Sequence, residues 1–419
     1  WGYNPLNYNV LEGAYSSDAT DGYVRIKEFK QVVQAFNGAD INIIMDVVYN
    51  HVSAATGSNF DVLMPNYYFR YNADGSAANG SGCGNETASD HKMFQKFMID
   101  SVCFWAREYK LGGFRFDLMG LHDIETMNLL AKELKKINPD IVVYGEPWTG
   151  GTSALSSDKQ AIQKNGNALE GVGQFNDKMR DALIKGGLND KSATGWITND
   201  EKVNNSDVTA ILSGLKGIID CGSYKIADPN KTVNYVTCHD NYTLYDRIVA
   251  SGVRPTKDKE ILEGMHNLAN AVVFTSNGTT FMLAGDEFMR TKGGDDNSYE
   301  SSYQVNELDY ALKIKNIKTF ENYKKLIALK TSCAGLHLNE DQIEGNYTAE
   351  SLANGSVIQI TVKDTKNNRT YKIIHANGTV GSFNTDFSGY TLYLDTLSSG
   401  VQLTSSTAIS PYQTIIAYK

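Results

Sequence analysis

The sequence predicts an α/β protein: a (β/α)8 TIM barrel lacking its first strands, followed by a C-terminal all-β sandwich domain. Three observations predict it. Up to residue 333, short apolar runs alternate with segments whose apolar residues recur at helical spacing, the pattern of a parallel sheet covered by helices. Polar residues stand at the C-terminal end of nearly every run, near Asp46, Asp117, Glu146, Asn176, Asp240 and Asp286, as in a barrel whose site is built at one face. From residue 334 the texture changes to short alternating segments between glycine and asparagine turns: SVIQITVK, TYKIIHA, YTLYLD and QTIIAY. Six strands are visible where a barrel needs eight. The expectation is that two strands and the helix between them precede Trp1, so that residues 1–333 are an N-terminally incomplete barrel and 334–419 the sandwich.

Residues 1–15, WGYNPLNYNVLEGAY, read as loop because glycine, proline and asparagine punctuate the aromatics. A helix is expected over 21–37, with Val24, Phe29, Val32, Val33 and Phe36 on its apolar side, and then the β-rich run INIIMDVVYNH over 41–51. The long irregular stretch 52–88 is of the kind that usually carries function. Its GSGCGNE segment lacks the lysine and hydroxyl residue of a phosphate-cradling loop. Phe94, Phe97, Met98, Val102, Trp105 and Tyr109 mark a helix leading into GFRFDL (113–118). Between that run and IVVY (141–144) lies a helix with Ile124, Met127, Leu130, Ala131 and Leu134 on one face, capped by Asp123, with acids in its first turn and lysines in its last. This strand–helix–strand unit sets Asp117 and Glu146 at the C-terminal ends of adjacent strands, where both face one cleft. Further on come the run GVGQFND with helix KMRDALI, loops and small helices over 186–229, the strand TVNYVTCHDN, the helix over 261–276, the strand TTFMLAGDEF and the helix over 320–330.

The net charge of −9, with no lysine run, argues against a nucleic-acid or anionic-membrane surface. No apolar stretch of about 18 residues is present to span a bilayer. Trp1 to Val10 lacks the basic head and apolar run of a signal peptide, so the location of the protein is left open. Cys83, Cys103, Cys221, Cys238 and Cys333 form no close pair and no metal spacing, and lean weakly towards a reducing compartment. The 24 tyrosines and 4 tryptophans suit sugar rings, though the same side chains also fill cores.

Four segments resemble, in order and spacing, the conserved regions of the α-amylase clan of glycoside hydrolases (glycoside hydrolase family 13): DVVYNH (46–51), GFRFDLMG (113–120), GEPW (145–148) and VTCHDN (236–241). WGYNP at 1–5 resembles the tail of the motif that marks type I pullulanases, and GCGNETAS and FRFDLMGLHDIETMN are similar to that subfamily. One departure is Pro147, where glycine often stands. The resemblance implies retaining hydrolysis of α-1,6-glucosidic links in pullulan and branched α-glucans, with no cofactor required. Retention takes a nucleophile and an acid/base about 5–5.5 Å apart. By match, Asp117 is the nucleophile, Glu146 the acid/base and Asp240 the third carboxylate, which steadies oxocarbenium-like charge. His51 and His239 match residues that bind hydroxyls of the sugar at the cleaved bond, Tyr3 the aromatic that stacks on its ring, and Arg115 the cation that keeps Asp117 ionised. Trp148 would wall the acceptor side, with Asp46 and Asn50 in support.

Blander readings compete. A lone aspartate at a strand end is more often a helix cap, and a lone histidine more often a core residue; it is their joint occurrence in matched motifs that favours the functional reading. Asp286 and Glu287 read as buttresses of the barrel mouth. The acidic loop GGDDNSY (293–299) admits a structural calcium, but solvation of a surface loop is the preferred reading, and no metal is expected. The rivals are an α-1,4-acting amylase or neopullulanase and an inactive carbohydrate-binding fragment. A nucleotide-binding domain is set aside for want of a glycine-rich strand-to-helix turn.

Overall fold

The computed structural model describes residues 1–185, 192–199, 201–251 and 258–419. It divides into two compact units, Trp1–Phe175 and Asn176–Lys419.

In the first unit, strands β1 (Ile44–Val47), β2 (Gly113–Phe116), β3 (Val142–Gly145) and β4 (Gly173–Phe175) pair in that order, all parallel. Helix α1 (Gly22–Asn37) starts at Asp21, whose side chain accepts from the Tyr23 N–H. Of its expected apolar side only Val33 is buried; Val32 and Phe36 are exposed. After the short α2 (Asn59–Leu63), helix α3 (Lys92–Tyr109) buries Phe94, Met98, Val102 and Trp105 as its spacing predicts. Helix α4 (Ile124–Ile137) is capped by Asp123, which accepts from Thr126 N–H at 2.9 Å. Its Met127, Leu130 and Leu134 are fully buried, each burial stabilising by about 1.5–3 kcal/mol. This apolar stripe packs the crossover that connects β2 to β3, where Arg115 lies opposite Tyr144; on its other side Arg115 lies opposite Asp46 of β1.

In the second unit, α5 (Asp177–Ile184) is capped by Asn176 and is followed by α6 (Asn205–Leu215) and a small hairpin, β5 (Ile219–Asp220) with β6 (Lys225–Ile226). The loops and small helices expected over 186–229 are thus present in part, while residues 186–191 and 200 lie outside the described residues. Strands β7 (Thr232–Asn234) and β8 (Thr279–Thr280) are parallel neighbours. Both are far shorter than the apolar runs that announced them, because the chain leaves the ladder early to form loops. His239 and Asp240 therefore lie beyond the strand, and Asp286 opens a single 3-10 turn. Helix α7 (Leu244–Ala250) follows β7, and α8 (Lys259–Phe274) precedes β8. After α9 (Tyr303–Asn306) and α10 (Ala311–Lys315), helix α11 (Ile317–Ser332) packs on α8 through Leu326 and Leu329.

Past α12 (Glu340–Ile343), strands β9 (Tyr347–Leu352), β10 (Val357–Asp364), β11 (Arg369–Ala376), β13 (Thr391–Asp395) and β15 (Thr414–Tyr418) form an antiparallel sheet in the order β13-β15-β11-β10-β9. Strands β12 (Phe383–Thr385) and β14 (Thr407–Ile409) form a second pair. One face of the large sheet, with Ile360, Val362 and Ile373, packs on Leu268, Val272 and Leu326 of the helices, and the other, with Ile374 and Ile415, on Ile409 and Phe387. Along β10 the buried Ile358, Ile360 and Val362 alternate with the more accessible Gln359, Thr361 and Lys363, as the sequence pattern predicts. Among the described residues no helix is long and apolar enough to cross a membrane.

Candidate active site

Parallel register delivers the first two carboxyls. Asp117 N–H donates to Val47 O at 3.0 Å and Glu146 N–H to Phe116 O at 3.1 Å, so each carboxylate residue takes the rung just past the end of its strand. The turns that follow are tight. Leu118 sits in the left-handed region at φ 41°, and its N–H donates to Glu146 Oε2 at 2.9 Å. Gly145 allows this approach, since a Cβ there would stand 2.6 Å from Phe116 O. Gly120 does the same for Trp148, whose carbonyl oxygen a Cβ would meet at 2.5 Å.

One side chain binds the carboxyls together. Arg115 is 5 % exposed, and its Nη1 reaches Asp46 Oδ1 at 2.8 Å and Asp117 Oδ1 at 3.3 Å, while Nη2 reaches Glu146 Oε1 at 2.8 Å. Strand alternation makes this possible, because residues 115 and 117 point to the same side. Burial disfavours the Arg115 charge, but Glu146 and Asp46, then Tyr3 and Asp117, more than offset it and hold its pKa above the ordinary value. The Tyr3 hydroxyl donates to Asp46 Oδ2, and its ring lies with the Arg115 guanidinium 5.8 Å from the centroid. Burial, and then the Asp46 charge, push the Tyr3 hydroxyl well above the usual phenol range, so Tyr3 acts as a neutral donor.

Asn50, wholly buried, donates through Nδ2 to both Asp117 O, at 2.9 Å, and Asp117 Oδ2, at 2.7 Å. Its Oδ1 is bonded to His51 Nδ1. That bond places the proton of a neutral ring on Nδ1 and leaves Nε2, buried and without a hydrogen-bond partner among the described residues, as an acceptor. Burial lowers the His51 pKa, which keeps the ring neutral. Tyr3, Asp46, Asn50, His51, Arg115, Asp117 and Glu146 thus form one cluster. Trp148 lies two residues beyond Glu146, half-buried.

The scaffold beneath the cluster was not legible in the motifs. Glu86, fully buried in the 52–88 stretch, accepts from Gly80 N–H at 2.8 Å, Ser153 Oγ at 2.9 Å and Ala154 N–H at 3.1 Å, and pairs with Arg70 at 3.4 Å. Arg70 in turn donates to Leu121 O at 2.9 Å and to Asp90 at 2.8 Å. The network ties the long loop to the segments after both carboxylates. A cavity of about 890 Å³ in this unit is lined by Trp1, Gly2, residues 4–15 and residues 45–49, Asp46 among them, with Arg25 and Trp105; neither Asp117 nor Glu146 lines it.

In the second unit, His239 Nε2 stands 3.6 Å from Asp240 Oδ2, and Asp240 is exposed, its side chain 49 % accessible. Asp286, fully buried, accepts from Thr237 Oγ1 at 2.9 Å. Burial above all pushes its carboxyl up to about 7, the neighbouring Glu287 adding to this and Thr237 partly opposing it. In the acidic loop, Asp295 accepts from Asn297 N–H at 2.9 Å and from Ser301 Oγ, and the described residues contain no cluster of three metal-ligating side chains.

The pullulanase of Bacillus acidopullulyticus superposes on all of this chain with a TM-score of 0.90 at 38 % identity. The chain is similar to type I pullulanases over most of its length. The Paenibacillus barengoltzii pullulanase, solved with maltohexaose and alpha-cyclodextrin, likewise matches over the whole chain with a TM-score of 0.91 at 35 % identity. The Bacillus subtilis pullulanase is 35 % identical over 332 residues, 79 % of this chain. The chain spans 45 % of that pullulanase, and 51 % and 65 % of the two solved chains. These pullulanase folds bear out a parallel β/α barrel type followed by an antiparallel β domain. No protein-family model matches the chain.

Proposed function

We propose that this chain carries the catalytic apparatus of a retaining hydrolase of α-1,6-glucosidic links in pullulan and branched α-glucans, with 1–333 as its catalytic domain and 334–419 as its β domain. The observation that carries the reading is the grip of one guanidinium, Arg115, on the carboxyls of Asp117 and Glu146 at the ends of neighbouring strands. Asp117 is the nucleophile. Arg115 and Asn50 stabilise it as a carboxylate, with Oδ2 aligned by the Asn50 amide. It attacks the anomeric carbon as the bond to the leaving oxygen breaks, and Glu146 gives that oxygen its proton. Glu146 then takes a proton from water, whose oxygen displaces Asp117 and restores the starting configuration.

Three carboxyls, those of Asp46, Asp117 and Glu146, surround the one guanidinium. His51 accepts a sugar hydroxyl at Nε2, Tyr3 and Trp148 offer aromatic faces to the rings, and His239 and Asp240 supply hydroxyl contacts and the third carboxylate. Pullulanases solved with maltooligosaccharides support an α-glucan as substrate.

Product analysis on pullulan tests the proposal, using this chain and a version extended to the length of its relatives. Maltotriose as sole product is expected. Panose or maltose-type products would move the specificity to α-1,4 links, and binding without turnover by either version would leave a carbohydrate-binding protein.

A further inference from the structure

The loop that carries His239 and Asp240 is held at its start, middle and end by one short segment, residues 286–292. At the start, Thr237 Oγ1 donates to the buried Asp286 at 2.9 Å. In the middle, Lys292, only 4 % exposed, donates through Nζ to His239 O at 2.6 Å and Asn241 O at 3.2 Å, the carbonyls on either side of Asp240. Asn241 has φ 62°, so the chain reverses directly after Asp240 into the left-handed region that asparagine tolerates. At the end, Thr243 caps α7 and donates to Asp246 Oδ2 at 2.9 Å, the same oxygen that accepts from Lys292 N–H at 2.7 Å, while Thr291 Oγ1 donates to Asp246 Oδ1.

Half-exposed and beyond the last strand rung, Asp240 has no ladder to aim it. We propose that Lys292 is a positioning residue for the glycosidic reaction: by bridging the carbonyls that flank Asp240 it fixes the direction of that carboxyl, with Asp286 and Asp246 locking the segment from which Lys292 extends. The inference rests on the reading of Asp240 as the third carboxylate. Lys292 need not touch the sugar. A lysine ammonium has three donors on a flexible stem, and two of them are used here to hold backbone rather than substrate.

The test is a double-mutant cycle between Lys292→Met and Asp240→Asn in the protein at the length of its relatives, followed with pullulan and with an activated maltooligosaccharyl fluoride. Misplacement of a reacting group by about 1 Å costs roughly a hundredfold in rate, so Lys292→Met is expected to lower kcat about that much, with KM moved far less. The double variant should be no slower than Asp240→Asn alone, because once the carboxylate is gone its aim no longer matters. Multiplying losses in the double variant would show Lys292 acting independently of Asp240 and overturn the inference, as would full kcat in Lys292→Met beside an inactive Asp240→Asn. Full rate in Asp240→Asn would overturn the reading of Asp240 itself and the inference with it. Should Lys292→Met not fold, Lys292→Arg serves: it keeps the charge but not the compact reach to both carbonyls, so reduced kcat with a native circular-dichroism spectrum is expected, and full kcat would overturn the inference.

Discussion

The Arg115 cluster of the first unit and the His239–Asp240 loop of the second place their carboxyls by different physics. In the cluster, backbone register puts Asp117 and Glu146 one rung past adjacent strands, and a guanidinium 5 % exposed joins them directly. In the loop, Asp240 is exposed, and its direction comes from contacts to the backbone around it. Strand-delivered groups are organised by the same hydrogen bonds that make the sheet, whereas loop-delivered ones need a dedicated scaffold. The first arrangement is therefore expected to fail abruptly when its hub is removed, and the second by degrees.

The largest effect sought is on chemistry. Asp117→Asn should lower kcat on pullulan by at least about a thousandfold while leaving oligosaccharide binding by calorimetry intact; an unaltered rate would sink the assignment. Arg115→Met breaks the hub and leaves several carboxylates without their cation. A stability loss of about 3–5 kcal/mol in urea unfolding is expected together with loss of turnover, and a fully stable, active variant would show that register alone suffices. Glu86→Ala sharpens the contrast, since it touches no proposed reacting group yet leaves the buried Arg70 short of a partner. It should cost roughly 3 kcal/mol and reduce activity only through unfolding, so specific activity of the folded fraction should hold.

A further effect is a pH dependence in the loop scaffold. The Asp286 carboxyl is raised from an ordinary value to about 7. Its protonated form is favoured by folding, so its contribution is fully present below the unfolded pKa near 4, declines as pH rises through the interval, and is lost above about 7, with a slope of up to about 1.4 kcal/mol per unit. Asp286→Asn keeps the shape and removes the titration. The difference between wild-type and variant urea midpoints should therefore shift steadily between pH 4 and 7 and level above; a difference flat with pH would show that Asp286 is ionised in the folded chain.

The strand–helix–strand unit around α4 was legible in the sequence because its apolar spacing, its Asp123 cap and its terminal carboxylates all agree. The pairing of Arg115 with Asp117 followed from strand alternation alone. What the sequence did not disclose was the reach of Arg115 to Glu146 and Asp46, which depends on the relative register of separate strands. Nor did it disclose the Glu86 and Lys292 scaffolds, whose partners are mostly backbone atoms and leave no side-chain pattern to read. Strands β9, β12 and β14 were missed for a different reason: they are short or polar, and their pairing is set by the neighbours they meet rather than by alternation of their own.

The most direct test of the proposed chemistry is to trap the glycosyl–enzyme intermediate with a fluorinated maltooligosaccharyl fluoride and map the labelled peptide by mass spectrometry. The label is expected on Asp117, within the peptide that carries GFRFDLMG. A label on Asp46, Glu146 or Asp240 would contradict the assignment of the nucleophile. Turnover of the reagent with inverted configuration and no label would contradict a retaining mechanism altogether.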